Sequence, residues 1–95
     1  MAAYVIAEVD VTNPKLYEEY RKLVPATLDK YGGRFAVRGG SVDSKEGGWH
    51  PARFVIVEFP TLELARKWYD SPEYAPALAL RQKAANTRLI LVEGV

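Results

Sequence analysis

Arg53-Phe54-Val55-Ile56-Val57-Glu58-Phe59-Pro60 is the stretch that decides how this chain is read. A short run of β-branched and aromatic residues, preceded by a Gly-rich turn and closed by proline, predicts a buried strand. It is apolar at odd and even positions alike, so both faces need cover and the strand belongs inside a sheet. Period-two alternation puts Arg53, Val55, Val57 and Phe59 on one face and Phe54, Ile56 and Glu58 on the other. Glu58 stands out, because a carboxylate in such a setting is costly unless it is paired.

Working outward, Pro60-Thr61 opens a helix with Thr61 as N-cap, in which Leu64, Ala65, Trp68 and Tyr69 share a face. Ser71-Pro72 restarts that helix, Ser71 capping and Pro72 at the first position, with Tyr74, Leu78 and Arg81 on one side of the second piece. Arg88–Glu93 is a closing strand. Upstream, the glycines from Gly39-Gly40 to Gly47-Gly48 mark a long hairpin connection, and Arg34–Arg38 is a strand with Phe35 and Val37 on one face and Arg34, Ala36 and Arg38 on the other. Tyr4–Asp10 is the first strand. Between them Asn13-Pro14 starts an amphipathic helix on which Leu16, Tyr20, Leu23, Val24, Thr27, Leu28 and Tyr31 recur at helical spacing, ended by Gly32-Gly33. Pro25 inside it removes one backbone hydrogen bond and predicts a bend near Arg21 or Lys22.

Strand, helix, strand, strand, helix, strand is the split βαβ, ferredoxin-like order, which gives an α+β domain over residues 1–95 with a four-stranded antiparallel sheet. Both helices cover one face. The other stays apolar, and an exposed apolar sheet face in a 95-residue chain predicts a homodimer through that face.

Composition narrows the function. The 13 Lys+Arg and 12 Asp+Glu leave a net charge of +1, which gives no general attraction for nucleic acid or anionic membrane. There is no cysteine, so disulfides, thiolate nucleophiles and Cys-based metal sites are excluded. With one histidine, His50, no two-His metal site or proton relay exists, and a solvated loop histidine is the reading of that residue; no metal is expected. No apolar run suggests a signal peptide or membrane span, and the cytoplasm is the expected location.

Several separated motifs, Tyr31-Gly32-Gly33, Val37-Arg38-Gly39-Gly40, Val57-Glu58-Phe59-Pro60, Trp68-Tyr69-x-Ser71-x-Glu73-Tyr74 and Arg81, together resemble the small bacterial proteins grouped as domain of unknown function 1330, within the dimeric α+β barrel superfamily. The resemblance covers nearly the whole chain. It implies a ferredoxin-like protomer and a dimer whose sheets pack into a barrel, and no reaction, since relatives in the superfamily range from cofactor-free monooxygenases to ligand-binding regulators.

The residues themselves suggest a pocket between sheet and helices. If the helices cover the Glu58 face, Glu58 lines that pocket as a candidate acid or base, and the opposite face meets a partner; the alternative for Glu58 is an ion pair with Arg34 or Arg81. Arg81, on a helix face that meets the sheet, is either an anion clamp or an arginine whose stem packs while its head reaches water, and Arg38 has the same two readings. Tyr20, Trp68, Tyr69 and Tyr74 are core aromatics or walls of the pocket. Two functions follow: a cofactor-independent enzyme on a carbonyl, enol or carboxylate-bearing metabolite, or a non-catalytic dimeric ligand-binding or regulatory module.

Overall fold

In a computed structural model describing residues 1–95, the elements run β1 (Ala3–Val11), α1 (Pro14–Asp29), β2 (Arg34–Arg38), β3 (Phe54–Phe59), α2 (Leu62–Tyr69), α3 (Ala75–Ala84) and β4 (Ala85–Glu93). The sheet order is β2-β3-β1-β4 with every neighbour antiparallel, so β3 is internal as its sequence demands. The helices begin as expected. Asn13 and Thr61 accept hydrogen bonds from the backbone N–H of Leu16 and Leu64, and Pro14 sits where its missing N–H costs nothing. One start differs: α3 begins at Ala75 with Pro76 in its first turn, and Ser71-Pro72 belongs to the preceding turn. Ser71 still does a cap's work, its Oγ accepting from the Tyr74 N–H and donating to the Trp68 carbonyl. α3 then passes into β4 with no loop, and β4 pairs with β1 along nine residues, longer than the Arg88–Glu93 expected.

The face assignment of β3 is the reverse of the one that placed Glu58 in the pocket. Val57 and Phe59 are buried under the helices with Val5, Trp68 and Tyr74, while Phe54, Ile56 and Glu58 lie on the outer face of the sheet. Glu58 there meets Arg34 across the β2–β3 pair at 2.8 Å. With both faces apolar, periodicity could not choose between them. The core chooses, burying Val57 and Phe59 and leaving the Glu58 carboxylate on the face where Arg34 meets it.

β2 carries a second departure. Phe35 pairs with Val57, but Val37 pairs with Ile56 and Arg38 with Val55, so a bulge at Ala36 inserts one extra residue. The simple alternation of Arg34–Arg38 is therefore broken. Phe35 and Arg38 share the helix-covered face, and Arg34 and Val37 share the outer one, as the guanidinium of Arg38 lying 4.2 Å over the Phe35 ring confirms.

Away from the sheet, Glu73 ties the α2–α3 turn to the end of α1, accepting from Lys30 Nζ and from the Tyr31 hydroxyl. These donors, Lys30 first and Tyr31 second, hold its carboxyl at about 2, below its ordinary 4.5. A depressed carboxylate adds stability above its unfolded value and loses it as the pH falls through the folded one. Glu73→Gln is therefore expected to lower the urea midpoint near neutral pH and to differ progressively less from the natural protein between about pH 4.5 and about pH 2. A constant gap in midpoint across a pH series would refute the tie.

Candidate functional site

Under the helices the sheet leaves a cavity lined by apolar side chains of β1, β3 and β4 (Val5, Ala7, Val9, Val55, Val57 and Leu89), by aromatics, and by four arginines, Arg21, Arg38, Arg53 and Arg81. No carboxylate and no histidine lines it. The enclosed free space is about 40 Å³, room for a few waters. A larger occupant has to displace a side chain, and at Arg38, the exposed member of the set, that means giving up its bond to the Arg21 carbonyl.

Three of the four arginines are brought there by particular local features. Arg81 follows Tyr74 and Ala77 along the buried face of α3 and is only 5% exposed. No carboxylate pairs with it, and its Nε is buried without a hydrogen-bond partner. Arg38 is turned inward by the bulge at Ala36. Its Nη2 donates to the backbone carbonyl of Arg21 at 2.9 Å. That carbonyl is the one whose normal helical partner would be the N–H of residue 25, and residue 25 is proline. α1 runs unbroken through Pro25, and the acceptor that the proline frees is taken up by Arg38. Burial first, then the charges of Arg21 and Arg53, make Arg38 more acidic than an ordinary arginine. Arg53 lies over the Tyr17 ring and against Gly39, whose left-handed φ of 72° and missing Cβ leave room for the guanidinium.

At the inner end the hydroxyls of Tyr20 and Tyr74 meet at 2.9 Å. One proton is used between them, and the other remains to be donated. Burial raises both hydroxyls above the ordinary tyrosine range, most strongly Tyr20, while the nearby Arg81 works in the opposite direction. Both therefore stay neutral donors at physiological pH. Trp68 backs the pair with its ring 4.0 Å from that of Tyr74, and its Nε1 donates to Thr27 Oγ1.

Of the residues singled out in the sequence, Arg38, Arg81, Tyr20, Trp68 and Tyr74 converge on this cavity. Tyr69 stands behind Tyr74, with ring centroids 6.0 Å apart, and is not part of the wall. Glu58 is on the other side of the sheet, so its place in the pocket is corrected, and of its two structural alternatives the Arg34 pair is the one formed. Arg21, Arg53 and Tyr17 were missed. Tyr17 had a signal, since it stands three residues before Tyr20 and seven before Val24 on the buried stripe of α1, whereas Leu23, placed on that stripe, is 43% exposed. His50 lies exposed in the long β2–β3 connection. No group of three or more His, Asp or Glu side chains gathers anywhere, and no helix is long and apolar enough to cross a membrane.

Comparison with known proteins places this geometry in a fold. RPA0582 of Rhodopseudomonas palustris, a protein of unknown function, superposes with a TM-score of 0.75 at 18% identity over 99% of this chain and 82% of its own. SnoaB, a cofactor-independent oxygenase from Streptomyces nogalater, does so with 0.68 at 11% identity over 99% and 93%. A conserved protein of Methanosarcina mazei gives 0.62 at 13% identity over 100% and 94%. A search of curated proteins finds no match. These likenesses establish the ferredoxin-like fold of the dimeric α+β barrel proteins. The model of the family described as domain of unknown function 1330 matches residues 2–95, and the chain belongs to that family.

Proposed function

We propose that the protein binds a small molecule bearing a carboxylate or enolate in the cavity under the helices, the negative charge resting on Arg81 and the free hydroxyl proton of the Tyr20–Tyr74 pair. The observation that carries this reading is Arg81, a cation 5% exposed with no carboxylate beside it. A buried charge without a partner is costly, and a bound anion removes that cost. The walls supply an apolar body for the ligand and few polar groups, which is the composition of a small-molecule site.

Binding without chemistry fits the lining best, because no carboxylate or histidine is placed to move a proton. One observation favours an enzymatic reading. Arg81 and the tyrosine donors are prearranged to stabilise charge developing on a carbonyl oxygen, as a cofactor-independent enzyme acting on a carbonyl or enol requires. SnoaB, a cofactor-independent oxygenase, is an example of this fold carrying cofactor-free catalysis in another protein. In either case Glu58 takes no part.

Benzoate and benzamide, alike in shape and different in charge, test the site by thermal shift and tryptophan fluorescence. Benzoate is expected to raise the melting temperature and benzamide to leave it unchanged. Glu58→Gln should respond as the natural protein does, and should itself cost no more than about 1 kcal/mol of stability, as for other surface pairs. A lack of response to any carboxylate, or loss of the benzoate response in Glu58→Gln, would overturn the reading.

The outer face supports a homodimer. Val37, Ile56, Ile6 and Ile90 stand opposite one another across all four strands, a continuous aliphatic row with Ile90 60% exposed. It is bordered by the Arg34–Glu58 pair on one side and the Glu8–Arg88 pair on the other. Trp49 donates to Glu8 and packs edge-on to Phe54, so the long connection covers that end of the face and leaves the row open.

A further inference from the structure

The four arginines do not act at one point. Arg81, nearly without exposure, lies close enough to the Tyr20 and Tyr74 hydroxyls for its charge to act on both, and on its other side it borders a surface depression with Tyr69 and Asn86. Arg38 is exposed and Arg21 and Arg53 are half-buried, which puts these three at the mouth. They crowd one another, Arg38 reaching the Arg21 carbonyl and feeling the charges of both Arg21 and Arg53. Glu18 is the one carboxylate in contact, 3.3 Å from Arg21 and 56% exposed. Arg53 has no carboxylate partner, and the Nε atoms of Arg21 and Arg53 are buried without acceptors. A surface built only for solubility intersperses both signs of charge. Here a bulge, a helix proline and a left-handed glycine each help to hold a guanidinium at the same place, against mutual repulsion.

Building on the binding site proposed above, we infer that its ligand is a dianion with an anionic group at each end. The inner group is received by Arg81 and the tyrosine pair, the outer group by Arg21, Arg38 and Arg53, and the body between them lies against Val5, Val57 and Trp68. A second anionic group has a reason to be there: the mouth cluster is short of negative charge by itself, whatever the inner end holds. Two charge-assisted contacts separated by an apolar stretch also select for ligand length, since arginine recognises carboxylate and phosphate through a fixed fork of donors. The chemistry is shared by dicarboxylates and by carboxylates bearing a phosphate.

The test is isothermal titration with a graded series of aliphatic α,ω-dicarboxylates, each beside its monomethyl ester, and with phosphonocarboxylates of matching length. At the best-fitting length the diacid is expected to bind at least about tenfold tighter than its half-ester, because the half-ester loses one charge-assisted contact. Arg38→Met and Arg53→Met, each checked for folding by circular dichroism, should bring that ratio toward one. A phosphonocarboxylate binding above the diacid assigns the outer group to phosphate. Half-esters that bind as well as diacids, or a ratio that both mouth variants preserve, would overturn the dianion while leaving the inner site standing. Binding of neither diacid nor half-ester would overturn both.

Discussion

Arg81→Met is expected to make the protein more stable and unable to hold an anion. Methionine keeps the length and much of the apolar stem of arginine, so the buried face of α3 between Ala77 and Ala84 stays filled. What disappears is a guanidinium with 5% exposure, no carboxylate partner and an unsatisfied Nε. Replacing even a paired buried charge by an apolar group of similar volume is neutral or stabilising by about 1–4 kcal/mol, and an unpaired one has less to lose. For a chain of this size each 1 kcal/mol moves the melting temperature by about 4–8 °C, so a rise of several degrees is expected in calorimetry. Binding changes in the opposite sense. Removing one partner of a desolvated charge contact costs about 2–5 kcal/mol, and about 3 kcal/mol is roughly a hundredfold in Kd. A charge kept at a cost to stability marks a group retained for binding. If Arg81→Met melts lower than the natural protein, Arg81 has structural partners in solution that the fold does not reveal; if it binds benzoate unchanged, the inner site is not where the anion rests.

The order of elements, the internal position of β3 and the convergence of Arg81, Tyr20, Trp68 and Tyr74 were all legible from residue pattern, because each depends on local periodicity or on crossover rules that a sequence carries. Two things were not. The faces of Phe54–Phe59 are nearly equal in hydrophobicity, so the only local clue was Glu58, and a lone carboxylate marks a pocket or a solvent face equally well. Tertiary packing settled it: the buried face had to meet Trp68, Tyr74 and Leu28, and Glu58 had Arg34 waiting on the other side. The second was the bulge at Ala36. Arg-Phe-Ala-Val-Arg alternates without flaw, and nothing in those five residues records that the partner strand is one residue short. The bulge is what makes Arg38 a pocket residue. Arg38 lines the cavity, although regular alternation put it on the same face as Arg34. Pro25 was read as a defect in α1, and its effect is to leave a free carbonyl that holds Arg38.

Ile6→Lys is expected to turn a dimer into a folded monomer. Ile6 lies on β1, in the middle of the row Val37–Ile56–Ile6–Ile90, and faces away from the helices, so it takes no part in the core clusters. The monomer can carry a lysine there with its ammonium in water. A two-fold interface through the sheet cannot, because the same surface meets itself and each substitution enters twice. Desolvating two like charges between sheets costs several kcal/mol, and about 4 kcal/mol already weakens association by roughly a thousandfold. Sedimentation at micromolar concentration should show the natural protein as a dimer and Ile6→Lys as a monomer with unchanged far-ultraviolet dichroism. Gln82→Lys, which adds the same charge on the exposed side of α3, should remain dimeric. A monomeric natural protein, or a dimeric Ile6→Lys, would refute the interface. The same variant separates the two faces of the sheet. The cavity lies under the helices, on the opposite face of the sheet from Ile6, so monomeric Ile6→Lys should bind benzoate as the dimer does. Loss of binding on dissociation would mean that the partner reaches across the sheet edge to complete the mouth, where Arg21, Arg38 and Arg53 lack their countercharge.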